Sequence, residues 1–237
     1  MKCAIVDQRI SQGCERGLLK RGFEVIKLPK SKFLSTPLCS HADMLMFCHA
    51  KTIITGAEYC DTAPYVFQDI RMYSPNTEIT FCSEIQKPVY PYDAIFNALV
   101  INNKLFAKTD TVSRTVLEYA KHNGLEIINV KQGYPACTTL AFGNSAITQD
   151  RGMAKILSEN NINVTLINEG FIKLVPYEYG FIGGCSGIYG NEVYFCGNIR
   201  LHKDADLIEK ALAKEGFCAV SLSDEELCDI GRIIFLD

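Results

Sequence analysis

Apolar and polar residues alternate in two different ways along this chain, and the switch between them recurs. In "LLKRGFEVIKL" (18–28), "YAKHNGLEIINV" (119–130), "ILSENNINVTLI" (156–167) and "ALAKEGFCAVSL" (211–222), a helical spacing of apolar residues stops at Gly or Asn. An apolar, largely β-branched run follows. Gly and Asn tolerate the left-handed backbone that ends a helix, and β-branched residues favour strands. Three of these segments are preceded by a hairpin signal: "NALVINNKLFA", "TTLAFGNSAIT" and "SGIYGNEVYFCG" place Asn102-Asn103, Gly143-Asn144 and Gly190-Asn191 between short apolar runs. The helices between hairpin and final strand repeat apolar residues at helical spacing: Val112, Val116 and Ala120; Met153, Ile156 and Leu157; and Leu207, Ile208, Ala211 and Leu212 behind the N-cap candidate Asp204.

The repeated unit is therefore strand–strand–helix–strand, at a spacing of roughly 40 to 55 residues. "DMLMFCHAKTIIT" (43–55) opens another copy with a degenerate helix, and "TEITFCS" (77–83) supplies its last strand. A fifth copy forms only if the chain closes on itself. "GRIIFLD" at the C-terminus then supplies one strand, and "MKCAIVDQRISQGCERGLLKRGFEVIKL" the rest. The pattern predicts one α/β domain over 1–237: a five-bladed, pseudo-symmetric propeller closed by its N- and C-terminal strands. A doubly wound sheet is the alternative, but it needs no hairpin before each helix. The Pro-rich stretch "SEIQKPVYPYDA" (83–94) is expected to connect blades two and three.

Composition narrows the function. Hydrophobic residues make up 48% and charged residues 22%, an ordinary globular balance. A net charge of −3, with no long basic cluster, gives no footprint for nucleic acid or for an anionic membrane. The apolar run of "MKCAIVDQRI" breaks at Asp7, too early for a signal-peptide core, and no run approaches the ~20 residues that span a bilayer. The eleven cysteines are scattered without a C-x-x-C, so zinc and dithiol spacing is missing. A cytoplasmic, cofactor-free protein with reduced cysteines is expected, with no metal and an oligomeric state left open.

Four stretches, "HADMLMF", "VKQGYPACTTLAF", "YGFIGGCSG" and "LCDIGRII", together with the five-unit ring, give the chain a resemblance to the pentein, or guanidine-modifying enzyme, fold. That group includes arginine deiminase, agmatine deiminase, dimethylarginine dimethylaminohydrolase and the amidinotransferases. The chain looks most like a clostridial branch of the fold whose function is unknown. The resemblance implies a Cys just before the first strand of one blade and a His-x-Asp pair at the matching place in another. Here these are Cys137, before a strand expected at Thr138–Phe142, and His41 with Asp43, expected two apart on one face of a strand. It further implies thiolate attack on an amidine or guanidine carbon, with the His as acid–base and carboxylates gripping the nitrogens.

At the start of blade three the corresponding position is Asn97, not an acid, so Asp229 and Glu178 are candidates for the second carboxylate. Gly184 and Cys185, in "GFIGGCSG", form a Gly-rich turn where a ligand or another backbone approaches closely, with Cys185 as a reserve nucleophile. Lys131 and Gln132 precede the turn carrying Cys137. Lys131 is expected to hold an anion, either the thiolate or a substrate carboxylate. Each site residue also has a plainer reading: Cys137 as a buried strand-start thiol, His41 as a structural partner of Asp43, and Lys131 as a solvated lysine. The functional expectation is a cysteine-dependent hydrolase or amidinotransferase acting on an amidine-, guanidine- or amide-bearing small molecule in the central channel. A non-catalytic pentein that binds a metabolite or a protein partner is the alternative.

Overall fold

The computed structural model describes residues 1–237. Blade one contains β1 (Cys3–Asp7), helix α1 (Gln12–Lys20) and β2 (Glu24–Leu28). Blade two follows with a helical turn α2 (Ala42–Leu45), β3 (Met46–His49), β4 (Thr52–Gly56), helices α3 (Ala57–Thr62) and α4 (Pro64–Tyr73), and β5 (Glu78–Cys82). Blade three contains β6 (Leu99–Ile101), β7 (Lys104–Ala107), α5 (Arg114–His122) and β8 (Glu126–Asn129). Blade four opens with a second helical turn, α6 (Pro135–Thr138), then β9 (Thr139–Phe142), β10 (Ser145–Thr148), α7 (Arg151–Glu159) and β11 (Asn163–Leu166). Blade five holds β12 (Ser186–Tyr189), β13 (Glu192–Phe195), α8 (Ala205–Lys214) and β14 (Cys218–Ser221). The last strand, β15 (Ile234–Leu236), returns to pair antiparallel with β1, Ala4 facing Phe235.

The five sheets have three strands each, and every one repeats the same pairing, an antiparallel pair (a hairpin in blades two to five) followed by a parallel strand reached through the helix. The turn residues read from the sequence do what their chemistry allows. Asn102, Gly143 and Gly190 take positive φ in the hairpins, and Gly22, Gly124, Asn161 and Gly216 take it just after the helices. Ser11, Ser113 and Asp150 cap their helices by accepting from Cys14, Thr115 and Met153 backbone N–H groups. Asp204 stands at an N-cap position, but its carboxylate instead accepts from Asn168.

Blade two departs from expectation. Its helix is interrupted rather than degenerate, because Ala63 sits at φ −134° and ψ 55° ahead of Pro64, whose ring disfavours a helical predecessor. His202, ahead of α8, is buried, and its Nδ1 accepts from the Asp204 N–H.

The apolar residues form five cores, one between each pair of adjacent blades. On β1, Cys3 and Ile5 face blade two, while Ala4 and Val6 face blade five. On β4, Ile53 and Ile54 face opposite neighbours, as do Ala146 and Ile147 on β10 and Tyr194 and Phe195 on β13. A strand's side chains alternate between its faces, and both faces of each central strand are buried. That is why these strands read as continuous apolar runs. The outer helices close the cores with i, i+4 pairs: Cys14 and Leu18, Val116 and Ala120, Met153 and Leu157.

Ile147 lies in the core shared by blades four and five and is fully buried. Ile147→Ala is expected to cost about 2–5 kcal/mol in denaturant unfolding. Leu19→Ala, at a half-exposed site on α1, should change stability by less than about 0.5 kcal/mol.

Candidate active site

The two blades that begin with a helical turn are built alike. Thr55 on β4 donates from its hydroxyl to the Leu45 carbonyl that ends α2, and Thr148 on β10 donates to the Thr138 carbonyl that ends α6. Each turn is thus tied to the strand beside it, and each delivers its residues to the ring centre. Two positions before β3, β6, β9 and β12 stand Met44, Asn97, Cys137 and Gly184, one from each blade.

At that centre the Cys137 thiol donates to Asp43 Oδ2 at 2.6 Å, and Asn97 Nδ2 donates to the sulfur at 3.1 Å. The amide orientation of Asn97 is fixed, because its Oδ1 accepts from the Ala136 N–H at 2.8 Å. Burial pushes the Cys137 thiol well above its ordinary range, and the nearby carboxylates of Asp43 and Asp229 add to the shift. Burial also raises Asp43 to about 6, opposed by the hydrogen bond from Cys137 and the charge of Arg232. At neutral pH the proton therefore rests on sulfur, and the charge on Asp43.

His41 precedes α2. Its ring is buried between two carboxylates, Nδ1 3.8 Å from Asp229 and Nε2 3.9 Å from Asp7, and neither nitrogen has a hydrogen-bond partner. Burial lowers its pKa, and the two carboxylates work against that. Asp7 is also engaged by the guanidinium of Arg9. Asp229 is raised to about 6, chiefly by burial, and accepts from the Phe181 and Gly231 N–H groups at 2.9 Å.

Two glycines make this packing possible. Gly231 has φ +69°, and a Cβ there would lie 2.0 Å from that of His41. A Cβ on Gly184 would lie 2.1 Å from Asp229 Oδ1, and its N–H donates to the Cys137 carbonyl at 2.9 Å. The close approach expected in "GFIGGCSG" is thus made by a carboxylate and a neighbouring backbone.

Cys137, His41 and Asp229 open into a cleft of about 530 Å³. Its outer walls come from two connections: 83–94 contributes Tyr90, and the segment before β12 contributes Leu174, Tyr177, Glu178, Tyr179 and Phe181. Leu38 and Tyr134 complete the lining.

The chain matches the model of a family of unknown function, DUF6873, over residues 5–234. It belongs to that family. No curated protein matches it in sequence. Among solved structures it is similar to a DDAH (dimethylarginine dimethylaminohydrolase) from Pseudomonas aeruginosa complexed with citrulline, at 10% identity and TM-score 0.55, covering 93% of this chain and 91% of that one. It is also similar to C. jejuni agmatine deiminase with substrate bound, at 10% identity and TM-score 0.54, covering 96% and 80%. A third likeness is to an amidinotransferase of saxitoxin biosynthesis from Microseira wollei, at 12% identity and TM-score 0.53, covering 91% and 77%. The fold is that of the pentein superfamily.

Of the residues singled out in the sequence, Cys137, Asp43, Asn97, His41 and Asp229 come together at the ring centre, and Glu178 stands at the mouth of the cleft. His41 and Asp43 do so from a helical turn, not from the strand expected; the strand starts only at Met46. Cys137 likewise lies inside α6, and its strand begins at Thr139.

Lys131 and Gln132 do not reach the cleft. Lys131 is exposed and lines a separate cavity behind Tyr90, while Gln132 donates to Asp150 and accepts from the Tyr134 N–H. The turn in front of α6 carries Lys131 outward, so its ammonium does not stand beside the thiol. Cys185 is fully buried in the core between blades four and five, with its thiol donating to the Ile182 carbonyl, away from the cleft. Asp7, Asp93 and the aromatic walls were not among the sequence candidates; the polar break after the apolar run "CAIV" is the signal that marks Asp7.

Iodoacetamide at pH 7 is expected to modify Cys137 more slowly than exposed Cys218, as intact-mass and peptide mapping would report. Asp43→Asn removes the adjacent negative charge and should shift the Cys137 alkylation profile to lower pH. Because burial raises Asp43 and Asp229 above 3.8, their protonated forms favour the fold. That contribution is present below about pH 4 and is lost as pH rises through about 6. In Asp43→Asn the loss over this window, followed by thermal melting, should be smaller.

Proposed function

We propose that this protein is a cysteine-dependent hydrolase of an amidine- or guanidine-bearing small molecule, bound in the cleft at the ring centre. The observation that carries the reading is the buried Cys137 thiol bonded to Asp43, lining the same cleft as a histidine whose two ring nitrogens are free and flanked by carboxylates. The enzymes it resembles in fold carry names of guanidine chemistry, which supports the class but not a particular substrate.

Burial and the nearby carboxylates hold the thiol protonated; a cationic amidinium near Cys137 opposes the carboxylates, so binding itself favours the thiolate. The sulfur then attacks the amidinium carbon, and the thiol proton passes by way of Asp43 and His41 to the departing nitrogen. The C–S bond forms, the C–N bond breaks, and an amine or ammonia leaves. Water attacks the resulting thiouronium-type carbon and gives up a proton to His41. The C–S bond then breaks, and the sulfur recovers the proton. The net change is amidine plus water to amide plus amine, or guanidine to urea. Asp229 holds the cation and orients His41, and Asn97 supports the sulfur as negative charge develops. Water needs no second binding site, which favours hydrolysis over group transfer.

A second reading, a binding protein without turnover, is supported by the same thiol being held neutral with no ring nitrogen bonded to it. Ammonia release from a panel of amidines and guanidines decides between them. Under the hydrolase reading Cys137→Ser abolishes release and His41→Asn lowers it at least about 100-fold. Activity should fall below about pH 6, where Asp43 and Asp229 protonate. Binding of a panel compound without release by the wild-type protein would favour the second reading.

A further inference from the structure

We propose that the cleft selects an organic cation with an apolar or aromatic body and no carboxylate, so that free α-amino acids such as L-arginine are poor ligands. The proposal rests on the hydrolase reading only for which end of the ligand meets Cys137.

The electrical character of the cleft is one-sided. Its charged lining is Asp229 at the inner end and Glu178 at the mouth, with Asp43 directly behind the thiol, and no lysine or arginine lines it. The cations nearby are committed or face elsewhere. Arg9 pairs with Asp7 and donates to the Pro37 carbonyl, Arg232 borders a different cavity beside Asp43, and Lys131 lies behind Tyr90. Recognition of a carboxylate calls for an Arg, a Lys or a set of convergent N–H donors. Placed among these acids without one, a ligand carboxylate would lose its hydration and gain repulsion.

The walls match a different ligand. Five aromatic rings, those of Tyr90, Tyr134, Tyr177, Tyr179 and Phe181, surround the space, and aromatic faces attract cations. Two of the four tyrosine hydroxyls are already used, Tyr134 donating to Asp93 and Tyr179 to Glu169. Those rings offer the ligand apolar surface in place of donors. Toward solvent, the half-exposed rings of Tyr90 and Tyr177 extend the apolar lining. That extension suits a body longer than the amidine group and uncharged at its far end.

Calorimetry on the Cys137→Ser protein tests this with three probes: benzylguanidine, the neutral isostere benzylurea, and L-arginine. Benzylguanidine is expected to bind at least tenfold more tightly than either of the others. Equal or tighter binding of L-arginine, equal binding of benzylurea, or no binding of benzylguanidine would overturn the proposal. Thermal-shift titration of the wild-type protein repeats the ranking without relying on the variant. Glu178→Arg, at an exposed position, should strengthen L-arginine binding at least fivefold by placing a cation at the mouth; no gain would count against the proposal. Turnover separates the two claims. The expected binding order with no ammonia released by the wild-type protein leaves the selectivity standing and removes the hydrolase reading. Release from L-arginine at a kcat/KM similar to that for benzylguanidine removes the selectivity and leaves the hydrolase.

Discussion

Each central strand of this protein is buried on both faces, and the rest of the structure follows from that. Ala146 and Ile147 are neighbours on β10, yet they belong to different cores, and so do Ile53 and Ile54 on β4. No blade has a core of its own. A three-stranded sheet with two apolar faces is satisfied only between two others, and a chain of such sheets has no apolar end only if it closes. The pairing of β1 with β15 makes the closure, so the two ends of the chain share one sheet.

Closure also creates the site. The residues just before each first strand converge on the ring centre, and what stands there is set by one or two positions per blade. Thiol and amide come from blades four and three, and Gly184 from blade five leaves room for Asp229. His41 is accommodated because Gly231 has no side chain. The carboxylates of Asp43 and Asp229, together with Asp7, are gathered where little water reaches them. Burial raises the first two and holds the thiol protonated. An acid-lined, aromatic-walled cleft thus stands above a neutral thiol.

The ring was legible in the sequence because its punctuation is local. Gly22, Gly124, Asn161 and Gly216 end helices, and Asn102, Gly143 and Gly190 turn hairpins, each by a backbone conformation that few other residues adopt readily. Cys137, His41 and Asp43 were legible as a set only through likeness to the pentein pattern, since no local spacing links residues 94 positions apart. The local geometry was misread where helix replaced strand: "HADML" and "PACT" are single helical turns, too short for a periodicity signal. Lys131 was misplaced for a related reason. Its direction depends on how the chain enters α6, which the sequence does not specify. The cleft's walls escaped because Tyr90 and Tyr177 lie in irregular connections whose path is fixed by tertiary contacts, such as Gln86 donating to the Met44 and Asp93 carbonyls.

Burial, with the carboxylates of Asp43 and Asp229, keeps the Cys137 thiol neutral, and a bound cation releases it under the proposed mechanism. The most direct measurement is the thiolate absorbance of Cys137 against pH, taken as the difference between wild-type and Cys137→Ser protein, with and without saturating benzamidine. A midpoint above 9.0 is expected in the free protein, with a fall of at least one pH unit when the cation is bound. A midpoint below about 8 in the free protein, or one that benzamidine leaves unchanged, would contradict that mechanism.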